Sequence, residues 1–242
     1  MQWNDEQQDV SRETFQNKVD MMDIARIAQD VEAREFAGMG SLKLVAPAKV
    51  NLYLNVKGLR EDGYHEVSTI MHTLMLHDVL RMKLVPGTGE PVQLTSRSYE
   101  GLEPLDVDPQ HNIVTKAIVK LAEAFGRELG ETETVRVHLE KHIPAQAGLG
   151  GGSSDAAAAL LGAAILWQES VLDPRIEHVA ATLGADVAFF LKGGCAQYDG
   201  IGEHFVRSLK ITNDFVVIVK PEGGVSTAAA YKKLDENPQP LD

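Results

Sequence analysis

The stretch that decides the fold is IPAQAGLGGGSSDAA, at residues 143–157. Between Gly148 and Gly152 every residue except Leu149 is glycine, which lets the backbone turn sharply and bring its N–H groups close to a ligand. The alanine- and leucine-rich run at 153–167 predicts a helix. The start of such a helix offers unpaired amides and the positive end of its dipole. The stretch therefore predicts a phosphate-binding loop at a helix N-terminus.

Two common phosphate-binding motifs do not fit this loop. A P-loop requires Gly-Lys-Ser/Thr after its glycines, and no lysine follows here. The Rossmann spacing Gly-x-Gly-x-x-Gly, started at Gly148, would require glycine at position 153, where the chain has Ser153. A strand-to-helix turn that binds no ligand is the alternative interpretation of the loop.

The hydrophobic pattern on either side of the loop predicts a mixture of strands and helices. Alternating apolar residues indicate half-buried strands, and apolar residues at helical spacing indicate helices. Asp173 and Pro174 are typical of a helix start, and Gly184 of a helix end. The predicted strands lie at 42–44, 50–56, 67–76, 79–85, 135–139, 187–191 and 215–219, and further helices at 113–125 and 227–234.

Composition and charge exclude several functional classes. The 242 residues are 44% hydrophobic and 24% charged, as in ordinary globular proteins. The net charge of −12 opposes binding to nucleic acid, because a nucleic-acid-binding surface is basic. No apolar run approaches the roughly 18 residues that span a bilayer. The single cysteine, Cys195, cannot form an intrachain disulfide. We therefore expect a cytoplasmic protein whose partners are small molecules, not nucleic acid or membrane.

Several segments together resemble one enzyme family. Residues 144–157 are similar to the second motif of the GHMP kinases (galactose, homoserine, mevalonate and phosphomevalonate kinases), and APAKVNL at 46–52 is similar to the first. Four further segments narrow the resemblance to the branch that acts on a cytidine-diphosphate-linked alcohol: REDGYH at 60–65, HNIVTKA at 111–117, LGADVAFF at 183–190 and GIGE at 200–203. The resemblance runs in order from about Ser41 to about Leu234.

The resemblance implies an α+β protein with the GHMP kinase fold. It predicts an N-terminal ribosomal-protein-S5-like α/β domain that binds ATP at residues 41–205. Residues 206–242 are expected to be the start of a truncated C-terminal α/β sandwich domain. Residues 1–40 are expected to form a helical or poorly ordered N-terminal extension.

The resemblance also implies an activity. The expected reaction is ATP-dependent phosphorylation of the 2-hydroxyl of 4-diphosphocytidyl-2-C-methyl-D-erythritol, in the non-mevalonate isoprenoid precursor pathway. ATP chemistry implies Mg²⁺, although no acidic pair in the sequence identifies its ligands. Two alternatives stay open: a truncated, non-catalytic nucleotide-binding remnant, and another small-alcohol kinase of the mevalonate or homoserine type. Tyr64 and His65 argue against the second alternative.

By resemblance, Lys49 and Asp186 are the expected catalytic pair. Asp186 would accept the proton of the substrate hydroxyl, and Lys49 would stabilise the transferring phosphoryl group. From the residues alone, Lys49 could equally be a solvated strand lysine and Asp186 a turn residue. The expected ATP-binding residues are Pro144, Ala145, Gln146, Ala147, Gly148, Leu149, Gly150, Gly151, Gly152, Ser153, Ser154 and Asn112; the family usually has glycine in place of Gln146.

The expected substrate-binding residues flank a cytosine base. Tyr64 and Tyr231 would stack on the two faces of the ring, and His65 would bind the edge of the base. Asn51 would orient the substrate, because it lies two residues after Lys49 on the same strand face. Thr227 lies one helical turn before Tyr231. The alternative interpretation is that the two tyrosines are ordinary surface aromatics.

Overall fold

The computed structural model describes residues 40–61, 63–99, 102–105, 107–211, 214–220 and 227–236. The predicted extension at 1–40 lies outside the described residues apart from Gly40. Six strands form one mixed sheet: β1 (Ser41–Leu59), β2 (His65–Pro86), β3 (Val92–Ser98), β4 (Glu133–Lys141), β5 (Cys195–Asp199) and β6 (His204–Ser208). The helices are α1 (Ile113–Phe125), α2 (Gly151–Leu166), α3 (Pro174–Leu183), α4 (Ala185–Lys192) and α5 (Thr227–Glu236), with a short 3-10 helix at Pro109–His111.

Strand β2 organises the sheet, because it pairs with three other strands. It pairs antiparallel with β1 along almost its whole length, with β4 through its C-terminal part and with β5 through its N-terminal part. Strand β3 is parallel to β4, and β6 is antiparallel to β5. The sheet therefore has the order β3-β4-β2-β5-β6, with β1 also paired to β2.

Helix α2 lies at the centre of the hydrophobic core. Its residues from Ser154 to Leu160 are all buried, as expected of a helix that is apolar on every side. A Cβ atom added at Gly162 would lie 2.5 Å from Met82 Sδ of β2. The absence of a side chain there lets the helix approach the sheet closely. None of the described helices has the length and apolar character of a membrane span.

Most predicted elements are confirmed by the structure. Helix α1 has the predicted bounds, and the Asn112 side chain caps it by accepting from Val114 N–H at 2.9 Å. Asp173 caps α3 in the same way, by accepting from Arg175 N–H at 2.9 Å. Helix α2 begins two residues before its predicted start, because Gly151 and Gly152 already belong to it. The two strands predicted at 67–76 and 79–85 are one continuous strand, β2.

Two predicted strands are wrong. The apolar run at 187–191 belongs to helix α4, which buries Val187, Phe189 and Phe190 in the core. A short, wholly apolar run fits a buried helix as well as a buried strand, so periodicity does not distinguish them. The run at 215–219 forms no strand, and all five of its side chains are exposed. No described strand pairs with it, so its β-forming sequence has no ladder to join.

Candidate active site

Lys49 lies on β1 between two irregularities of the strand pairing. The register of β1 against β2 shifts between Pro47 and Lys49 and again between Asn51 and Tyr53. Such bulges redirect side chains locally. The ammonium group of Lys49 is buried, donates to Asn51 Oδ1 at 2.7 Å and lies 3.5 Å from Asp186 Oδ2. The structure thus brings together the two residues predicted as a catalytic pair.

Asp186 reaches Lys49 from the first turn of α4. Gly184, which has a positive φ of 154°, precedes this helix and provides no side-chain cap. The positive end of the helix dipole stabilises a carboxylate at this position. The Asp186 side chain is 36% exposed, whereas that of Lys49 is 8% exposed. The carboxylate of Asp186 is therefore accessible to a small molecule, whereas the ammonium group of Lys49 is almost completely buried.

The glycine-rich loop is attached directly to the Lys49 strand. Lys49 N–H donates to the carbonyl of Leu149 at 2.9 Å. Gly150 has φ +69°, and a Cβ atom there would lie 2.9 Å from the Phe190 ring and 3.1 Å from Lys49 Cγ. Both the left-handed backbone and the close approach require glycine at this position. Gln146 also has a left-handed backbone, with φ 53°, which explains why glycine suits this position.

Two cavities meet at the loop. The larger, of about 730 Å³, is lined by Lys49, Asn51, Asp186 and Tyr231 among others. The smaller, of about 450 Å³, lies over the loop and the start of α2. Gln146, Ala147 and Gly148 line both cavities. A molecule in one cavity can therefore lie next to a molecule in the other, with the Lys49–Asp186 pair on the side of the larger one.

The smaller cavity contains almost all of the predicted ATP-binding residues. It is lined by Asn112 and by residues 144–153, and Ser154 is the one member of the predicted set that does not line it. The Ser154 side chain is buried instead, and its hydroxyl has no hydrogen-bond partner among the described residues.

The residues predicted to bind a base are arranged differently from the expectation. His65, not Tyr64, stacks on Tyr231, with ring centroids 4.7 Å apart and an interplanar angle of 21°. The Tyr64 side chain is exposed and does not line the larger cavity. His65 Nε2 also lies 2.7 Å from Asp235 Oδ1, so two contacts fix α5 against the start of β2. The predicted Thr227 contact lies outside the described side chains, although Thr227 is the first residue of α5.

Tyr231 is close to Asp186 as well as to His65. Burial and the nearby Asp186 carboxylate both raise the pKa of Tyr231. Its hydroxyl group therefore stays neutral at physiological pH, and its side chain lines the larger cavity.

A buried ionic cluster beneath the loop was not predicted. Lys141, the last residue of β4, donates to Asp78 and, at 2.6 Å, to Asp155 Oδ2 of α2. Burial alone would lower the pKa of Lys141, but the two carboxylates outweigh it and raise that pKa. The only available signal in the sequence was the position of Lys141 and Asp155 at the two ends of the loop. Asp78 gave none, because it comes from a different part of the chain.

Sequence and structure comparisons show which known proteins this chain is similar to. Residues 112–194 match the GHMP kinase N-terminal domain. The chain is 38% identical over 195 residues to the 4-diphosphocytidyl-2-C-methyl-D-erythritol kinase of Desulfitobacterium hafniense, and 41% identical over 197 residues to that of Thermoanaerobacter pseudethanolicus. The alignments cover 81% of this chain in both cases.

This chain is similar to GHMP kinases. Among solved structures, a 4-(cytidine 5'-diphospho)-2C-methyl-D-erythritol kinase matches 69% of this chain and 55% of its own, with 39% identity and a TM-score of 0.54. The L. major mevalonate kinase, solved with R-mevalonate, matches 68% of this chain and 51% of its own, with 17% identity and a TM-score of 0.51. The second likeness concerns the fold alone.

The chain spans about three fifths of the length of the relatives that it matches. The alignments cover 62% of the D. hafniense protein and 63% of the T. pseudethanolicus protein. The α+β fold class and the GHMP kinase fold are confirmed by these likenesses.

The described part of this chain has no group of three or more His, Cys, Asp or Glu side chains placed to hold a metal ion. Magnesium in nucleotide sites is commonly held by one or two carboxylates together with the phosphates. The arrangement of the described residues therefore identifies no magnesium ligands.

Proposed function

We propose that this chain catalyses ATP-dependent phosphorylation of the 2-hydroxyl of 4-diphosphocytidyl-2-C-methyl-D-erythritol. The observation that carries the proposal is the Lys49–Asp186 pair in the larger cavity, which shares residues 146–148 with the smaller one; Nζ and Oδ2 are 3.5 Å apart. The identity to relatives named for this activity supports the same reaction. The reaction belongs to isoprenoid precursor synthesis.

The proposed mechanism separates proton transfer from charge stabilisation. The substrate hydroxyl lies in the larger cavity, where the exposed carboxylate of Asp186 accepts its proton as the oxygen attacks the γ-phosphorus. The bond between the γ-phosphorus and the β–γ bridging oxygen breaks, and ADP leaves with that oxygen. Lys49 Nζ, held by Asn51, offsets the negative charge that develops on the transferring group. The phosphates of ATP lie over the loop in the smaller cavity, where backbone N–H groups and the α2 dipole bind them.

Recognition of the cytidine end is assigned to the wall formed by His65 and Tyr231. The aromatic face of Tyr231 offers a stacking surface for a base, and the His65 ring offers a hydrogen-bonding edge. Asn51, which donates to Thr69 Oγ1 at 2.8 Å, is oriented to contact the alcohol end of the substrate. We keep Tyr64 and Thr227 as candidate contacts on the resemblance alone.

Magnesium would be brought by the nucleotide and would reduce the charge of the triphosphate. We propose a cytoplasmic location, which the single buried cysteine, Cys195, supports. We retain residues 41–205 as the ATP-binding domain and 206–242 as the start of a second domain.

The decisive experiment is a turnover assay on the full 242-residue chain with ATP and magnesium. ADP release is measured with the cytidyl alcohol, with mevalonate and with homoserine as alternative acceptors. We expect turnover with the cytidyl alcohol only, since only this acceptor carries a base for the aromatic wall. Turnover with another acceptor would contradict the proposed substrate.

The same protein is tested by thermal shift with ATP–magnesium and with the cytidyl alcohol. Binding of both ligands without turnover would indicate the non-catalytic nucleotide-binding remnant instead of a kinase. An Asp186→Asn variant in the assay separates enzymatic turnover from contaminating ATPase, because only the former depends on this carboxylate.

A further inference from the structure

The cluster of Asp78, Lys141 and Asp155 connects both ends of the glycine-rich loop. Asp78 Oδ1 accepts from the backbone N–H groups of His142 and Ile143, at the beginning of the loop. Asp155 lies at the other end of the loop, in the second turn of α2, and accepts a hydrogen bond from Lys141. A Cβ atom at Gly151 would lie 3.3 Å from Lys141 Nζ, so the ammonium group lies directly beneath the first residue of α2.

The cluster carries one more negative than positive charge when both carboxyl groups are ionised. Its three side chains are almost completely buried, with Asp78 at 0%, Asp155 at 2% and Lys141 at 6% exposure. Asp155 Oδ1 has no hydrogen-bond partner among the described residues. A buried carboxylate oxygen without a donor is costly, and a proton on it removes that cost. The cluster thus has an unused position for one proton.

The cluster also borders the smaller cavity. Among the described residues that line this cavity, Lys141 and Asp155 are the only ionisable ones. Phosphates bound there would lie next to a net negative charge. A negative charge nearby disfavours the ionised form of a carboxyl group. Phosphate binding and ionisation of the second carboxyl group of the cluster therefore oppose each other.

We propose that Asp155 is a positioning residue of the nucleotide site, and that binding of nucleotide phosphates draws one proton from solvent onto the Asp78–Lys141–Asp155 cluster. The inference rests on the proposed function, because it takes the smaller cavity to be the ATP site. The proton neutralises the cluster, removes its repulsion of the phosphates and leaves Lys141 between Asp78 and Asp155, where it supports the loop.

Proton uptake on phosphate binding requires a carboxyl group whose pKa is close to neutral, and Asp155 meets this requirement. Burial raises the pKa of Asp155 to about 7; Lys141 opposes this effect, and the charge of Asp78 adds to it. Because Lys141 contacts both carboxyl groups, Asp78 and Asp155 titrate as a coupled pair. The charged groups that face Asp155 are Asp78 from β2 and Lys141 from β4, and Lys49 of β1 lies across the loop against Gly150.

The proton uptake can be measured by calorimetry. ADP binding to the full chain is titrated at pH 8 in two buffers of different ionisation enthalpy, for wild type and for Asp155→Asn. Asparagine can still accept from Lys141 but cannot take up a proton. We expect a buffer-dependent enthalpy for wild type and none for the variant. Above pH 7 the affinity of wild type should fall by up to about tenfold per pH unit relative to that of the variant.

Adenosine provides a control that does not depend on the variant. It lacks phosphates, so it should bind wild type without proton uptake. Equal proton uptake by wild type and Asp155→Asn, or by ADP and adenosine, would overturn the inference while leaving the proposed function intact. Absence of ADP binding to both proteins would contradict the proposed function, and the inference with it.

Discussion

The ring of His65 stacks on the ring of Tyr231, although 165 residues separate them in the chain, and this contact fixes α5 beside the larger cavity. With their centroids 4.7 Å apart, the two rings leave no space for a third ring between them. A base must therefore stack on the face of Tyr231 that His65 does not cover, or separate the two rings.

Loss of the Tyr231 ring should weaken binding of the cytidyl substrate selectively. We expect Tyr231→Ala to raise KM for this substrate about 5- to 150-fold, which corresponds to about 1–3 kcal/mol for one stacked base. Tyr231→Phe keeps the ring and should behave almost as wild type. KM for ATP should not change, because ATP is assigned to the other cavity. Equal KM for the cytidyl substrate in the Ala and Phe variants would contradict the stacking role.

Substitution of either residue of the proposed catalytic pair, Lys49 and Asp186, should strongly reduce turnover without unfolding the protein. We expect Asp186→Asn and Lys49→Met each to lower kcat by about 100-fold or more, since proton transfer and charge stabilisation each contribute on this scale. The matched control is Lys192→Met, which removes an ion pair of similar length, 3.6 Å to Glu177, from the same helix but outside both cavities. A comparable loss of kcat in Lys192→Met would show that removal of an ion pair from α4 lowers activity by destabilising the protein. Thermal unfolding followed by circular dichroism measures the stability of each variant independently.

The glycine-rich loop contains two glycines that should respond differently to alanine. We expect Gly150→Ala to lower the free energy of unfolding by about 1–3 kcal/mol, because its backbone is left-handed and Phe190 occupies the space of a methyl group. At Gly152 the nearest atom to an added Cβ is Ile113 Cγ2 at 3.8 Å, so Gly152→Ala fits.

Gly152→Ala therefore separates folding from ligand binding. Its stability should equal that of wild type or exceed it by up to about 1 kcal/mol, because alanine favours a helix more than glycine does. Its affinity for ATP should nevertheless fall, since the methyl group lies at the exposed start of α2 in the smaller cavity. Urea unfolding and ATP titration measure the two effects, and unchanged ATP affinity would argue against phosphate binding at this loop.

Stability should depend on pH through Asp155. Its pKa is raised to about 7 in the folded protein, against about 3.9 in the unfolded chain. Between these values the folded protein binds more protons than the unfolded chain, so stability falls as pH rises from about 4 to about 7 and then levels off. We expect the free energy of unfolding of wild type to decrease between pH 5 and pH 7.5 relative to that of Asp155→Asn. Parallel curves for the two proteins would contradict this assignment.

Local sequence signals were sufficient for much of the fold. The helix at 113–125 was predicted from its spacing, and Asn112 caps it. The start of α3 followed from Asp173 and Pro174, because capping depends only on neighbouring residues. The run at 187–191 was predicted wrongly, since the choice between helix and strand was made by the packing of Phe189 and Phe190 against the core.

The sequence by itself determined the loop, the helix that follows it and the family resemblance, because these depend on residues adjacent in the chain. Only the tertiary structure decided which distant side chains meet. Lys49 contacts Asp186, and the residue that stacks on Tyr231 is His65 and not Tyr64. Lys141 lies between Asp78 and Asp155. Each of these contacts depends on strand register and helix packing, which join segments far apart in the chain and have no local signature.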